Sequence, residues 1–366
     1  MSRIFSVLLA SVLVFGLASL VSGASYVDCC VDDVMATNLM MPQRKLNRHP
    51  FAQIDNELRH GRYIGLDPIR LWNHRLPDET RGQAGGISKN LWGGLVGHTG
   101  NFAGTYSTDD QWRLNSFGVQ AGYSFLSTNW MSFGVTAGVQ FPQLKNTQDK
   151  VDGSDGHIGL YYGQRVFRMM ELKGFIGGGL QSYKLYRRDA SYLYRANFHG
   201  DSFQTNIELA RPVMLENWML RPYLGFDLEY VSQAGAVESD AVESGILTGF
   251  HSYSGASLTQ LFLRCGLDFE KRLARGDLLF GIEYANMIGG QSVPSVYVYS
   301  PSANKGVVSR GAKLGHNVLS LHLGGNRYIN QARTRALFID YAVDIFCDRV
   351  GGASRHNFSF GFSSRF

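Results

Sequence analysis

The stretch Arg355 to Phe366 limits the fold more than any other. Phe358, Phe360, Phe362 and Phe366 share one parity, while Asn357, Ser359, Gly361, Ser363 and Arg365 share the other. Successive side chains of a strand point to opposite faces. The stretch is therefore a strand with one aromatic face and one small, polar face. Two settings accept such a strand: the core of a soluble sandwich, or a membrane barrel in which the aromatic face meets lipid.

The same period recurs upstream. Phe117, Val119, Ala121, Tyr123 and Phe125 alternate with Ser116, Gly118, Gln120, Gly122 and Ser124. Leu261, Leu263, Cys265, Leu267 and Phe269 alternate with Gln260, Phe262, Arg264, Gly266 and Asp268. Reading the whole chain this way predicts twelve strands, near 91–104, 115–127, 129–142, 155–166, 170–186, 198–212, 218–231, 254–270, 277–286, 314–328, 334–346 and 355–366. The stretch 170–186, with Gly177-Gly178-Gly179, has the weakest alternation.

The predicted connections alternate in length. Those near 105–114, 143–154, 187–197, 232–253, 287–313 and 347–354 are long; those near 128, 167–169, 213–217, 271–276 and 329–333 are short. Bacterial outer-membrane barrels have an even strand number, short turns on the periplasmic side and long loops outside. A soluble sandwich does not require that alternation. The expected fold is all-β: a twelve-stranded antiparallel transmembrane β-barrel over 90–366, preceded by a short irregular N-terminal segment.

Composition agrees with strands rather than helices as the spanning elements. There are 43 glycines and 9 prolines, and charged residues make up 18%. Beyond the N-terminus no run of about 18 apolar residues occurs, which a spanning helix needs. Residues 1–24 read as a signal peptide: Arg3, an apolar run from Ile4 to Val21, then small residues at Ser22 and Ala24. Residues 25–89 carry prolines and mixed charge without a period of two, and are expected to form an extended or pore-associated lead-in, with room for a short helix near 51–60. The net charge of +5 is spread along the chain, so no nucleic-acid surface is expected. Cys29, Cys30, Cys265 and Cys347 do not form a disulfide framework.

The inward parity of the predicted barrel collects His157, Arg165, Glu208, Asp227, Glu229, Arg264, Asp268, Glu283, Asp340 and Asp344. Charges facing lipid cost a few kcal/mol each near the midplane, roughly 2–4 for Arg or Lys, so a polar lumen is where they belong. Arg–carboxylate pairs there would brace a narrow barrel; a small-solute channel with a mild cation preference is the alternative. No catalytic residue, metal site or cofactor is expected. Asp109-Asp110 is the nearest thing to a paired-acid site, no Gly-x-Ser-x-Gly elbow or Cys-x-x-Cys occurs, and the ten histidines lack ligand spacing. The segments 232–253 and 287–313 are the candidate surfaces for outside contacts, including adhesion.

The order of several pieces resembles the translocator β-domain of autotransporters. These are Ser116-Phe117-Gly118-Val119-Gln120-Ala121-Gly122-Tyr123, then Asp155-Gly156-His157-Ile158-Gly159-Leu160-Tyr161-Tyr162-Gly163, then Gly200-Asp201-Ser202-Phe203. Arg221-Pro222-Tyr223-Leu224-Gly225-Phe226-Asp227-Leu228-Glu229-Tyr230 and Phe262-Leu263-Arg264-Cys265-Gly266-Leu267 follow, and the chain carries Phe366 last. The resemblance implies a barrel in the outer membrane of a Gram-negative-type bacterium, in contact with its lipid. It also implies that Phe358, Phe360, Phe362 and Phe366 carry the signal read by the barrel-assembly machinery. The family secretes an N-terminal passenger; here about 64 residues separate the signal peptide from the barrel and no repetitive passenger is visible. A structural or display role is the resulting expectation.

Overall fold

The computed structural model describes residues 88–103, 111–128, 131–145, 149–166, 170–189, 192–215, 218–240, 251–290, 295–300, 305–310, 316–330, 334–347 and 353–366. The expected signal peptide, the expected lead-in up to residue 87, Cys29, Cys30 and the Asp109-Asp110 pair lie outside them. Twelve strands form the barrel: β1 Ser88–Ala103, β2 Gln111–Ser127, β3 Met131–Lys145, β4 Lys150–Val166, β5 Met170–Asp189, β6 Tyr192–Ala210, β7 Trp218–Gln233, β8 Ala256–Leu273, β9 Gly276–Gly290, β10 Asn317–Tyr328, β11 Arg335–Phe346 and β12 Ala353–Arg365. Each pairs antiparallel with its neighbour in sequence. β12 closes the ring on β1, from Asn90 opposite Arg365 to Phe102 opposite Ala353. Closure leaves no open sheet edge in the ring, the condition for putting strands into lipid.

The outward parity of these strands is apolar and exposed. Leu95, Phe117, Val139, Ile158, Ile176, Ile207, Phe226, Ile282, Leu323, Ile339 and Phe360 all belong to it. A belt of that extent far exceeds the patches that soluble monomers leave in water. In the seam, Phe358 of β12 lies flat over Gly97 of β1, its register partner. A methyl group at Gly97 would sit 2.0 Å from the ring Cζ, so any larger residue there would displace the ring.

All twelve predicted strands exist, but two predicted loops do not. The segments expected as long connections, 143–154 and 187–197, are mostly strand: β3 continues to Lys145 and β4 starts at Lys150, while β5 runs to Asp189 and β6 starts at Tyr192. The reason is an inversion of the alternation. On these upper strand ends the inward residues are apolar (Leu144, Val151, Tyr183, Leu185, Ala196, Phe198) and the outward ones polar (Gln143, Lys145, Asp152, Lys184, Asn197). An apolar-out pattern ends where lipid ends, although the strand goes on. β5 is 20 residues long, about 65 Å at 3.3 Å per residue, whereas a tilted strand crosses a bilayer in about 9–11 residues.

The connections from β7 to β8 and from β9 to β10 remain long and carry strands of their own. Ala236–Val237, Ser252–Tyr253, Ser295–Ser300 and Lys305–Arg310 make a four-stranded antiparallel sheet. Ser239–Asp240 pairs with β6 at Tyr194 and Arg195. Opposite, in the short connections, Val213–Leu215 pairs with the start of β7.

Candidate functional site in the barrel interior

The inward face of β4 to β9 holds a continuous ion-pair network toward the short-turn end. Arg221 of β7 places Nη1 2.7 Å from Asp268, Nε 3.4 Å from Glu171, and Nη2 on Glu208. Arg264 of β8 places Nε 2.7 Å from Asp227 and Nη1 2.7 Å from Glu283 and 3.6 Å from Glu208. Lys173 of β5 lies 3.1 Å from Glu208, and Arg165 of β4 lies 3.8 Å from Glu171. The Tyr223 hydroxyl donates to Glu283 at 3.0 Å. Glu208 thus joins three cations on three strands. Buried charges are retained when paired, and this set is paired by bridging strands rather than by local pairs, although Arg264 Nε and Asp227 Oδ1 meet as an ion pair without hydrogen-bond alignment.

A second cluster ties the inner side of the seam. Asp344 of β11 accepts from Arg355 at 2.9 Å, Asn357 at 3.0 Å and Ser320 at 2.6 Å. The Asn357 side-chain oxygen Oδ1 is 2.7 Å from His98 Nδ1 of β1. The last and first strands are therefore joined by side chains inside as well as by the backbone ladder.

The long-loop end of the interior is apolar. Leu114, Leu144, Val151, Tyr183, Leu185, Ala196, Phe198, Val231, Leu258, Phe262, Ala285, Val318 and Phe346 pack as one buried cluster, and Tyr253 from the β7–β8 connection joins it. That connection is fastened by Glu238. Arg187 of β5 binds its carboxylate with two bonds, 2.9 and 2.8 Å, the Tyr253 hydroxyl donates at 2.7 Å, and the His251 amide donates at 2.9 Å. Burial would raise the Glu238 carboxyl, but the bonds from Arg187 and Tyr253 and the Arg187 charge outweigh it and hold it below the usual glutamate value. Between the apolar cluster and the ion pairs, a gap is lined by Phe262, Ala285, Val318 and Phe346 on one side and Asp227, Glu229 and Arg355 on the other. It has about 10 Å³ for the centre of a water molecule, room for roughly one.

This closed, internally braced ring has a family counterpart. The autotransporter β-domain family model matches residues 91–341. The chain belongs to the autotransporter β-domain family. No curated protein matches the sequence. Among solved structures, the translocator domain of the autotransporter NalP from Neisseria meningitidis is similar, with a TM-score of 0.62 at 12% identity over 81% of this chain and 95% of that one. The β-domain of the Bordetella autotransporter BrkA gives 0.55 at 13% identity, covering 76% and 100%. The transport unit of AIDA-I from Escherichia coli gives 0.52 at 13%, covering 85% and 99%. At such identities the likeness establishes the fold. Membership of this family implies an outer membrane of Gram-negative type.

In this autotransporter-type barrel the ten polar positions picked from parity lie as follows. His157, Arg165, Glu208, Asp227, Glu229, Arg264, Asp268, Glu283 and Asp344 are buried in the interior, and Asp340 is half-buried. Six of them, Arg165, Glu208, Asp227, Arg264, Asp268 and Glu283, meet in one network. Asp344 belongs to the seam cluster, and Glu229 receives a 3.4 Å bond from Gln204. Parity missed Arg221, Glu171 and Lys173, which the network needs. Arg221 shares the parity of Tyr223 and Asp227 and was readable on that ground. Glu171 and Lys173 share a face with Phe175, Gly177 and Gly179, which hides its polar character. Phe358, Phe360, Phe362 and Phe366 are all exposed on the outward face. Cys265 is half-buried on the outward parity and Cys347 is exposed; both are free thiols.

Proposed function

We propose that the barrel is a closed outer-membrane scaffold that holds the β7–β8 and β9–β10 connections on the cell exterior, in a structural or display role rather than as a conduit. The observation that carries this reading is that side chains cross the interior at two levels, by the ion pairs that bridge β4 to β9 and by the buried apolar cluster above them. Nothing in this role calls for catalysis. The exposed face of Phe358, Phe360, Phe362 and Phe366 supports a role for the last strand as the segment read by the barrel-assembly machinery.

Planar-bilayer recording of the folded full chain tests the scaffold reading. The expected result is insertion without stable conductance steps. Regular, cation-selective steps would overturn it and establish the small-solute channel instead.

A further inference from the structure

Arg113, Lys145 and Lys150 occupy one cross-strand row on the outer face of β2, β3 and β4. The register sets Arg113 opposite Lys145, and Lys145 opposite Lys150. The row continues through Tyr186 of β5 to Arg195 of β6, whose guanidinium lies 5.9 Å from the Tyr186 ring. The next row toward the apolar belt is Asn115, Gln143, Asp152, Lys184 and Asn197. Asp152 is the single carboxylate of the two rows; it accepts from Gln143 at 2.8 Å and lies 2.6 Å from Lys150. Arg113, Lys145 and Lys184 are exposed, and Lys150 and Arg195 are half-buried.

Like charges directly opposite each other destabilise a sheet. Here three cations stand in adjacent register positions, with two more beside them and one carboxylate to offset five. Their height is also defined. Phe117 and Phe141, register partners and both exposed, belong to the apolar belt two rows below. Arg113 is four residues along the strand from Phe117, about 13 Å. With the strand tilted by about 40° this is about 10 Å of height, from which long Arg and Lys side chains reach back to a headgroup layer roughly 5–8 Å deep. On the outer ends of β7 to β12 the described outward residues, among them Ser232, Ser257, Thr259, Asn286 and His356, include no Lys or Arg. Among the described wall residues, the positive charge of the long-loop end lies in one sector, on β2 to β6.

We propose that this sector, Arg113, Lys145, Lys150, Lys184 and Arg195, binds the phosphate groups of lipid headgroups in the outer leaflet. The proposal rests on the outer-membrane placement with the long connections outside. Guanidinium and ammonium groups are the usual partners of phosphate, and the rim position brings phosphates on a lipid to them while its chains cover the apolar belt. A lipid seated there would relieve the cross-strand repulsion and stiffen the outer ends of β2 to β6.

The test uses the folded full chain in detergent micelles. The probes are a diphosphorylated glucosamine-based lipid and its dephosphorylated counterpart, with bound lipid counted by native mass spectrometry. The phosphorylated probe is retained and released by added salt. The triple variant Arg113→Gln, Lys145→Gln, Lys150→Gln binds it about a hundredfold more weakly, at roughly fivefold per charge near a membrane surface. A control triple on the opposite rim, Arg275→Gln, Arg327→Gln, Arg335→Gln, binds as the parent does. Equal retention of both probes, an unaffected triple variant, or inorganic phosphate competing as well as the lipid would each overturn the proposal. Failure of the outer-membrane reading has a different sign: no variant would show heat-modifiable migration or insert into vesicles.

Discussion

Trp92 of β1 donates its indole N–H to the hydroxyl of Tyr161 of β4, 3.1 Å away, across two intervening strands. The two rings span the inner wall because the positions beneath them are glycines. Gly122 of β2 is the register partner of Trp92, and Gly134 of β3 is the partner of Tyr161. A methyl group at Gly122 would lie 2.3 Å from the indole, and one at Gly134 would lie 2.4 Å from the Tyr161 ring. Ser124 completes the bridge, 2.6 Å from the same hydroxyl.

Gly122→Val should therefore lift the indole and break the bridge, at a cost of about 1–3 kcal/mol for overpacking. Denaturant titration of the folded barrel measures it. Pairing Gly122→Val with Trp92→Leu should return part of that loss, since the smaller side chain vacates the wall. A double-mutant cycle without coupling would show that the two do not share the site.

Arg221 is the branching cation of the interior. Arg221→Ala would leave Glu171, Glu208 and Asp268 with less positive charge among them, and the expected loss is about 3–5 kcal/mol. The temperature at which the folded gel band converts to the unfolded one should fall accordingly. Arg221→Lys keeps the charge but not the three-way fork, and should fall between.

Glu238 gives the outer connection a pH dependence. Its carboxyl is held below the ordinary glutamate value by Arg187 and Tyr253. The fastening is thus fully present above the ordinary glutamate range and is lost as the pH falls through the lowered value. Amide hydrogen exchange around 251–255 should accelerate on acidification in the parent. In Glu238→Gln exchange should be fast at neutral pH and change little with acid.

For the last strand, Phe366→Ser should reduce the fraction of protein reaching the outer membrane in cells, with little change in the migration of the barrel once folded. Outer-membrane fractionation beside refolding in detergent separates the two effects. Equal losses in both would point to a stability role instead.

The fold was legible because lipid imposes one rule on every strand: Phe358, Phe360 and Phe362 face out, so Asn357 and Ser359 face in. The rule has a limited range. At Leu144, Val151 and Ala196 the outer surface meets water, the apolar side turns inward, and the same period of two reads as a loop when only apolar-out is sought. Within the lumen, parity places Arg264 and Asp227 on the inside, but register decides that they meet. Which cation serves Glu208 depends on three strands at once, and no local pattern encodes that.

The inverted ends of β3 to β6 also give membrane insertion a direction. Their apolar cluster can close only after the hairpins have emerged into water. To withdraw, those hairpins would have to open the cluster first, a cost that entry does not carry, whereas moving Lys145, Lys150 and Lys184 through hydrocarbon, at roughly 2–4 kcal/mol for each charge near the midplane, is common to both directions. Exit therefore faces the higher barrier, by the free energy of closing the cluster.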